Sequence, residues 1–329
     1  MVKRESMPQV VIVSPAMRDA NNGNWQTARR WQRYLSPAYR TRIVKTWPDA
    51  GAAGDQVMLA LHARRSADAI AAWYGLRGSR GLAVVLTGTD LYRDIQVDKR
   101  AQGSLARARL LVVLQALGPE ALPVELREKS RVIFQSTASR QVLPKSLNRL
   151  RLVMVGHLRE EKSPQTLFAA ARLLADEPAI RIDHIGDALD PALAKAARAT
   201  MAAAPNYRWL GGLPHEATRR RIQRAHLLVH TSRMEGGAHV IMEAVVSGTP
   251  VLASHIAGNI GMLGLDYAGY FPCGDGPALA RLIRRCQDRQ AGNPLLDALI
   301  TQCGQRAPLF YPAAERAVLH GLVDELLEN

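Results

Sequence analysis

Two carboxylates, Glu235 and Glu243, lie eight positions apart, and glycines at 236 and 237 stand between them. The apolar run 227–229 predicts a buried strand, and residues 238–246 predict a helix. If the segment is helical, eight residues rise only about 12 Å, so both carboxylates could flank one extended ligand. Glycines between a strand and a helix let that ligand approach the backbone, and a helix N-terminus attracts anions. The pattern favours a ligand with hydroxyl groups at both ends and a diphosphate between them, which is the shape of a nucleotide sugar.

The same spacing has a simpler interpretation. Glu235 could stabilise the helix N-terminus electrostatically, and Glu243 could be a solvated helix residue. The context favours ligand binding, because a strand, paired glycines, a helix and a helix stop at Gly248 and Pro250 occur together. A strand at 251–253 then completes a β-α-β unit.

An amide-rich loop near the N-terminus follows the predicted strand 10–13 and leads into a helix. Its Asn22, Gly23 and Asn24, with the start of that helix, could hold a phosphate oxyanion, and Arg29 and Arg30 follow within two turns. The alternative is an asparagine-rich turn with ordinary helix capping. The sequence alone leaves both interpretations open.

A second loop of the first half, after the predicted strand 57–61, places His62 close to Arg64 and Arg65. A single histidine is more often structural than functional. A histidine near two arginines at the carboxyl end of a strand is nevertheless suited to act as a general base and an anion clamp. We therefore count all three among the candidate site residues.

Strands and helices alternate in both halves of the chain, and this alternation predicts an α/β fold with parallel sheets covered on both faces. Apolar runs that predict strands are 10–13, 57–61, 83–86, 110–114, 132–134, 152–156, 180–185, 227–229 and 251–253. The polar stretch 136–148 predicts a linker, and 313–327 predicts a final amphipathic helix. In open α/β sheets the ligand lies beyond the carboxyl ends of the strands, where the candidate loops fall.

Positive charge is concentrated in the first half of the chain. Of the 43 Lys+Arg and 29 Asp+Glu, residues 1–150 hold 24 and 11, which leaves 19 and 18 for residues 151–329. Nucleic acid, an anionic membrane surface or a small multiply charged substrate would explain this excess. Only 5% of the residues are aromatic and no recognition-helix or zinc-finger motif occurs, which argues against sequence-reading of nucleic acid. From the charge alone, a small anionic substrate, an anionic membrane surface and a generic basic surface without a specific partner all remain open.

The sequence predicts neither a metal nor a cofactor. Cys273, Cys286 and Cys303 are too scattered for a zinc site or a disulfide framework, and no Asp-x-Asp pair occurs. His226 and His230 straddle a strand, so we interpret both as structural. Residues 1–6 do not resemble a signal peptide and no apolar run approaches 18 residues, so we predict a cytoplasmic protein without stable membrane association.

Residues 231–237 and 247–251 together resemble the donor-binding signature of retaining, nucleotide-sugar-dependent glycosyltransferases related to family four. The resemblance implies the GT-B architecture, with two facing Rossmann-like domains, parallel sheets and an interdomain cleft. It implies an N-terminal acceptor domain at 1–145, a C-terminal donor domain at 146–305 and a C-terminal helix at 306–329 that crosses back to the first domain.

The same resemblance implies roles for individual residues. Lys162 matches the family's diphosphate-binding lysine, whereas His157 stands where relatives carry an arginine, so Arg159 would supply the guanidinium. These cations would stabilise the departing diphosphate in place of a metal. The implied catalytic residues are Glu235, Lys162, Arg159, Asp90 and His62. The implied donor-binding residues are Glu243, Gly236, Gly237, Ala238, His239 and His157.

Five segments, 21–31, 61–67, 87–94, 235–243 and 258–264, resemble the selenosugar synthases of selenoneine biosynthesis. That resemblance implies a carbon–selenium bond formed from a UDP-sugar, usually UDP-N-acetylglucosamine, and selenophosphate, with no cofactor. Thr89 or Asp90 stands where many glycosyltransferases carry a cleft histidine, and an anionic selenium nucleophile needs no general base. The implied acceptor contacts are Asn22, Gly23, Asn24, Arg64, Arg65, Thr87 and Thr89. A conventional glycosyltransferase with an anionic lipid or sugar acceptor, and a non-catalytic basic nucleic-acid-binding module, remain the alternatives.

Overall fold

The computed structural model describes residues 7–17, 23–287 and 292–328. The chain divides into two compact units, Met1–Gln135 with Pro312–Asn329, and Ser136–Tyr311. Each unit carries a six-stranded sheet whose strand pairs are all parallel. Two Rossmann-like α/β domains are therefore present, and the predicted fold class is confirmed. Within the described residues, no helix combines the length and apolar character needed to span a membrane.

The first unit has the strand order β2-β1-β3-β4-β5-β6. Its strands are β1 (Gln9–Val13), β2 (Arg40–Val44), β3 (Val57–Leu61), β4 (Leu82–Val85), β5 (Leu110–Val113) and β6 (Ser130–Val132). Its connecting helices are α1 (Gly23–Leu35), α2 (Ala67–Arg77), α3 (Ile95–Val97) and α4 (Lys99–Arg107). A π-helical turn, Asp90–Asp94, leads into α3.

Successive residues of the central strands point into two separate apolar cores. Val10 and Ile12 of β1 pack with α1, whereas Val11 and Val13 pack with α2 and α4. This alternation follows from the period of two in a strand. It confirms that helices cover both faces of the first sheet.

The second unit has the strand order β12-β11-β10-β7-β8-β9. Its strands are β7 (Leu150–Val155), β8 (Ile180–Ile185), β9 (Tyr207–Trp209), β10 (Leu227–His230), β11 (Val251–Ser254) and β12 (Tyr270–Phe271). Its helices are α5 (Pro164–Leu173), α6 (Pro191–Ala203), α7 (His215–Arg224), α8 (His239–Val245), α9 (Ala257–Leu263), α10 (Gly276–Gln287) and α11 (Pro294–Arg306). The predicted helix 238–246 is confirmed as α8.

The second unit begins at Ser136, before the predicted boundary at 146. The polar stretch 136–148 is tied to α7 by side-chain hydrogen bonds. Arg219 donates to the Thr137 hydroxyl at 2.7 Å, and Lys145 donates to the carbonyl of Gln223 at 2.7 Å. These bonds explain why this stretch belongs to the second unit and is not a free linker.

The last helix, α12 (Pro312–Leu327), belongs to the first unit. Its Glu315 is buried and accepts hydrogen bonds from the Arg30 guanidinium at 2.8 Å and the Trp31 indole at 2.7 Å, both on α1. Four apolar residues of α12 join the same core as α1. The predicted helix 313–327 is thus confirmed, and burial of a paired charge fixes it on α1.

Candidate active site

The loops after β7 and β10 are joined at the carboxyl edge of the second sheet. The two strands are neighbours, so their following loops lie side by side. The Thr231 hydroxyl donates to the carbonyl of Lys162 at 2.7 Å, and the Arg233 amide donates to the carbonyl of Glu161 at 2.9 Å. These bonds fix the turn that carries Lys162 against the segment that leads to Glu235.

Glu235 lies at the centre of this arrangement. Its Oε1 is 2.5 Å from Lys162 Nζ and 3.4 Å from His230 Nε2. All three side chains are at least four-fifths buried, with 13%, 17% and 3% of their surfaces exposed. Burial raises the pKa of the Glu235 carboxyl, but the Lys162 charge and the His230 contact outweigh it and lower the pKa. The carboxylate is therefore ionised at neutral pH.

His230, which is interpreted from the sequence as structural, lies beside Glu235. It is the last residue of β10 and borders Glu235 directly. Burial lowers the pKa of His230, with Glu235 opposing that shift, so the imidazole is neutral at pH 7. The strand-end position is the only sequence signal for this contact, and it applies equally to many structural histidines.

The backbone around Glu235 is closely packed. A Cβ atom at Gly258 of α9 would lie 2.0 Å from the carbonyl oxygen of Glu235, so only glycine fits there. Gly236 and Ala238 are buried, and Gly237 is partly exposed in the turn before α8. His239 is the first residue of α8 and is partly exposed. The structure thus places the predicted donor-binding turn directly beside Glu235.

Glu243 lies on α8 and is only 6% exposed, so it is not the solvated helix residue of the simpler interpretation. Its Oε1 is 2.7 Å from Nε2 of His215, the first residue of α7. That hydrogen bond raises the pKa of His215. His215 was not predicted from the sequence, because no spacing relates it to Glu243 and only the packing of α7 beside α8 brings them together.

The other two predicted cationic residues of the β7 loop do not join Lys162. The Arg159 Nε lies 4.0 Å from Glu161 Oε2, and its side chain is 46% exposed. His157 Nδ1 accepts a hydrogen bond from the Asp187 amide at 3.0 Å, in the loop after β8. Lys162 is therefore the cation that the structure brings to Glu235.

In the first unit, the loops after β3 and β4 form a buried cluster of charged side chains. His62 Nδ1 lies 3.0 Å from Asp90 Oδ1, and His62 Nε2 lies 3.9 Å from Asp94 Oδ2. The Asp90 carboxylate also accepts a 2.6 Å hydrogen bond from the Ala63 amide. His62 has a φ of 75°, a conformation that costs energy in a non-glycine residue. The cluster therefore holds the β3 loop in one defined conformation.

Asp94 connects this cluster to two arginines. Arg64 Nε lies 3.0 Å from Asp94 Oδ2, and Arg93 Nε lies 3.2 Å from Asp94 Oδ1. The Arg64 side chain remains 40% exposed while Asp94 is buried. His62, Asp90 and Asp94 could hold a metal ion by spacing alone, since their ligand atoms lie within 4.8 Å of one another. The Arg64 guanidinium already compensates the Asp94 charge, which disfavours a cation beside Asp94.

The remaining predicted acceptor residues lie around the same edge of the first sheet, where β1, β3 and β4 are neighbours. Gly23 is exposed and Asn24 partly exposed at the start of α1, whereas Asn22 lies outside the described residues. Thr87 and Thr89 are partly exposed in the loop after β4, and Arg65 is exposed after β3. The structure thus keeps each described member of this set accessible.

Comparisons with known proteins give a family model that matches part of the chain and solved structures with a similar fold. Residues 135–294 match the family model described as "Glycosyl transferases group 1". Solved structures with a similar fold include Anabaena HepE in complex with UDP, at 15% identity and a TM-score of 0.72 over 96% of this chain and 100% of that one. Sucrose-phosphate synthase from Thermosynechococcus elongatus is similar at 18% identity and a TM-score of 0.72, over 98% and 99% of the two chains.

A third similar structure is the pneumococcal O-GlcNAc transferase GtfA in complex with UDP and GlcNAc, at 16% identity and a TM-score of 0.64. The match covers 83% of this chain and 58% of GtfA. At these identities the solved structures establish the fold, and the family model matches just under half of the chain. The chain thus has the GT-B fold of these glycosyltransferases, and residues 135–294 are similar to the group 1 glycosyl transferases.

Proposed function

We propose that this protein is a UDP-sugar glycosyltransferase that transfers the sugar to selenophosphate and forms a carbon–selenium bond. The observation that best supports the donor side of this proposal is the Lys162–Glu235 ion pair, which lies in the segment that matches the group 1 family model. Glu243 is buried in the helix that follows Glu235. Two of the similar structures were solved with UDP, one of them also with GlcNAc. We infer UDP-N-acetylglucosamine as the donor.

Each donor-side residue has a distinct task in this proposal. The Glu243 carboxylate accepts hydrogen bonds from the ribose hydroxyls, in place of the one it accepts from His215. The ionised Glu235 binds the hexose hydroxyls, while the turn from Gly236 to His239 approaches the diphosphate with its backbone amides. Lys162 stabilises the negative charge that develops on the departing UDP, and no metal is required.

The first unit supplies the acceptor site in this proposal. Arg64, oriented by Asp94, and the exposed Arg65 attract selenophosphate, and Thr87 and Thr89 offer hydroxyl groups to its oxygens. Asp90 is fully buried and His62 is 2% exposed, so we assign both the task of positioning Arg64. This assignment replaces a general-base role for His62, because both ring nitrogens face carboxylates.

The proposed reaction balances without a redox partner. The selenium lone pair attacks the anomeric carbon, the bond from that carbon to the diphosphate oxygen breaks, and UDP leaves with the electron pair. The product is a sugar linked through selenium to phosphate. Water then cleaves the phosphorus–selenium bond, which releases phosphate and the selenosugar. The acceptor is already anionic, so the first step needs no base.

The experiment that tests this function is incubation of the purified chain with UDP-N-acetylglucosamine and selenophosphate, followed by mass spectrometry. We expect UDP, phosphate and a selenium-containing sugar, and none of them with the Glu235→Gln variant. UDP-glucose and thiophosphate, each replacing one substrate, define the selectivity. Transfer to anionic sugars or lipids without transfer to selenophosphate would instead support a conventional glycosyltransferase, the second function that this domain pair could serve.

A further inference from the structure

A cavity of about 410 Å³ lies at the amino ends of β7, β8 and β9 in the second unit. This is the sheet edge opposite to the loops that carry Lys162 and Glu235. Six arginines line it, and we call it the arginine pocket: Arg149, Arg151, Arg181, Arg208, Arg221 and Arg224. One carboxylate, Asp183, lines it as well.

Strand register concentrates these charges on one face of the sheet. Arg151 of β7 is the register partner of Arg181 in β8, and Asp183 of β8 is the partner of Arg208 in β9. Neighbouring strands lie only about 4.8 Å apart, so two guanidinium groups on adjacent strands repel each other. The face therefore carries like charges that a bound anion would stabilise.

The single carboxylate of the pocket is already engaged. Asp183 accepts hydrogen bonds from Arg208 at 2.6 Å and from Arg221 at 2.8 Å. In the part of the chain that the structure describes, no carboxylate oxygen lies within 4.0 Å of the guanidinium groups of Arg149, Arg151 or Arg224. Burial and the charge of Arg208 lower the pKa of Arg181, Asp183 opposes that shift, and Arg149 adds a smaller lowering contribution. The pocket thus has a local excess of uncompensated positive charge.

We propose that the arginine pocket is a second anion site, which binds a small molecule with at least two linked phosphoryl groups. Guanidinium groups match phosphate oxygens in pairs, and the pocket has the volume of a small-ligand site. Its lining contains no aromatic side chain on which a base could stack, which favours a compact phosphate compound over a nucleic-acid strand. The site is independent of the proposed transfer reaction, because its residues lie at the other ends of the strands.

Titration calorimetry with inorganic diphosphate tests this site in the intact chain. The titration is run with UDP present in excess, so that diphosphate binding in the donor site is suppressed. The variant Arg151→Ser/Arg224→Ser removes two exposed arginines that have no carboxylate partner, and we expect at least about tenfold weaker diphosphate binding. The control Arg281→Ser/Arg285→Ser removes the same charge from exposed positions of α10 and should bind like the wild type.

Several outcomes would overturn the proposal. One is that the wild type does not bind diphosphate at millimolar concentration. Another is that both double variants bind diphosphate equally weakly. A third is that UDP alone abolishes diphosphate binding, while Arg151→Ser/Arg224→Ser has no effect on it. If a DNA duplex binds through the same arginines more tightly than diphosphate does, the ligand of the arginine pocket is nucleic acid and not a small phosphate compound. If Arg151→Ser/Arg224→Ser has a lower melting temperature than the wild type, the single variant Arg149→Ser takes its place in the comparison. Arg149 lies just before β7. Failure of the transfer assay would leave this result unchanged.

Discussion

The Lys162 ammonium lies 2.5 Å from the Glu235 carboxylate, although the two residues come from loops after different strands. The pair is mostly buried, so each charge depends on the other for its stabilisation. Donor binding brings a diphosphate to the same turn in our proposal, and Lys162 would then divide its hydrogen bonds between Glu235 and the diphosphate. In this proposal, Glu235 holds the Lys162 charge in position before negative charge develops on the leaving group.

Replacing Lys162 by alanine should lower turnover by about 10²–10³, the usual loss for one preorganised charge-stabilising donor. Steady-state kinetics with saturating donor would measure this, and a chelator should leave wild-type activity unchanged. The Lys162 charge also lowers the pKa of Glu235. Without that charge the pKa rises, so as the pH is lowered the remaining activity of Lys162→Ala should fall at a higher pH than the activity of the wild type. Full activity in Lys162→Ala, or loss of wild-type activity with the chelator, would contradict the assignment.

Replacing Glu243 by alanine should weaken binding of both UDP and the UDP-sugar. Charge-assisted hydrogen bonds to ribose contribute about 1.5–3 kcal/mol, which corresponds to roughly 10- to 150-fold in affinity. Calorimetry with UDP measures the effect, and the exposed Glu216 on α7 offers a control carboxylate of the same unit. Equal UDP affinity in wild type and Glu243→Ala would remove Glu243 from the donor site.

Replacing Glu235 by alanine should affect the binding of UDP and of the UDP-sugar differently, whereas Glu243→Ala should weaken both. Glu235 contacts the hexose in our proposal, so Glu235→Ala should bind UDP like the wild type and lose its preference for the intact UDP-sugar. The informative quantity is the ratio of the two affinities in each variant. A loss of UDP affinity equal to that of Glu243→Ala would show that both carboxylates hold the nucleotide.

The His215–Glu243 hydrogen bond should make UDP affinity dependent on pH. The pKa of His215 is raised by that bond, so the charged pair is fully formed below the ordinary histidine pKa of about 6.5 and is lost as pH rises through the raised value. Ribose competes with the imidazolium for Glu243, and wild-type UDP affinity should therefore increase over this window. His215→Ala should show a flat profile. A pH dependence that persists unchanged in His215→Ala would exclude this mechanism.

The sequence predicted the elements whose side chains have a clear pattern and missed those that lack one. The apolar runs predicted β3 and β10. β2 was not predicted because arginines stand at alternate positions in it, and β9 and β12 were not predicted because they span only three and two residues. Glu235, Lys162 and the glycines at 236 and 237 could be predicted as site residues because they are close in sequence or match a family segment. The contacts of His215 with Glu243 and of Asp94 with Arg64 depend on packing between helices and loops, which spacing along one chain does not encode.

The first unit should determine the affinity for selenophosphate. Arg64→Ala and Arg65→Ala should each raise the Michaelis constant for selenophosphate and leave UDP affinity almost unchanged. Because Asp94 lies 3.0 Å from Arg64 and holds it in place, Asp94→Asn should reproduce the Arg64 effect without removing a positive charge. Arg33→Ala, at the exposed end of α1, is the control for a lost charge of the first unit.

General electrostatic attraction would give a different pattern in the same experiment. Activity would then fall smoothly with salt, and Arg33→Ala would match Arg64→Ala, because screening acts on the summed charge of the first unit. Measurements at fixed ionic strength separate the two cases, with phosphate added as a competitor. A specific site predicts that phosphate competes with selenophosphate and not with the UDP-sugar. Unaltered selenophosphate kinetics in Arg64→Ala, Arg65→Ala and Asp94→Asn would place the acceptor elsewhere.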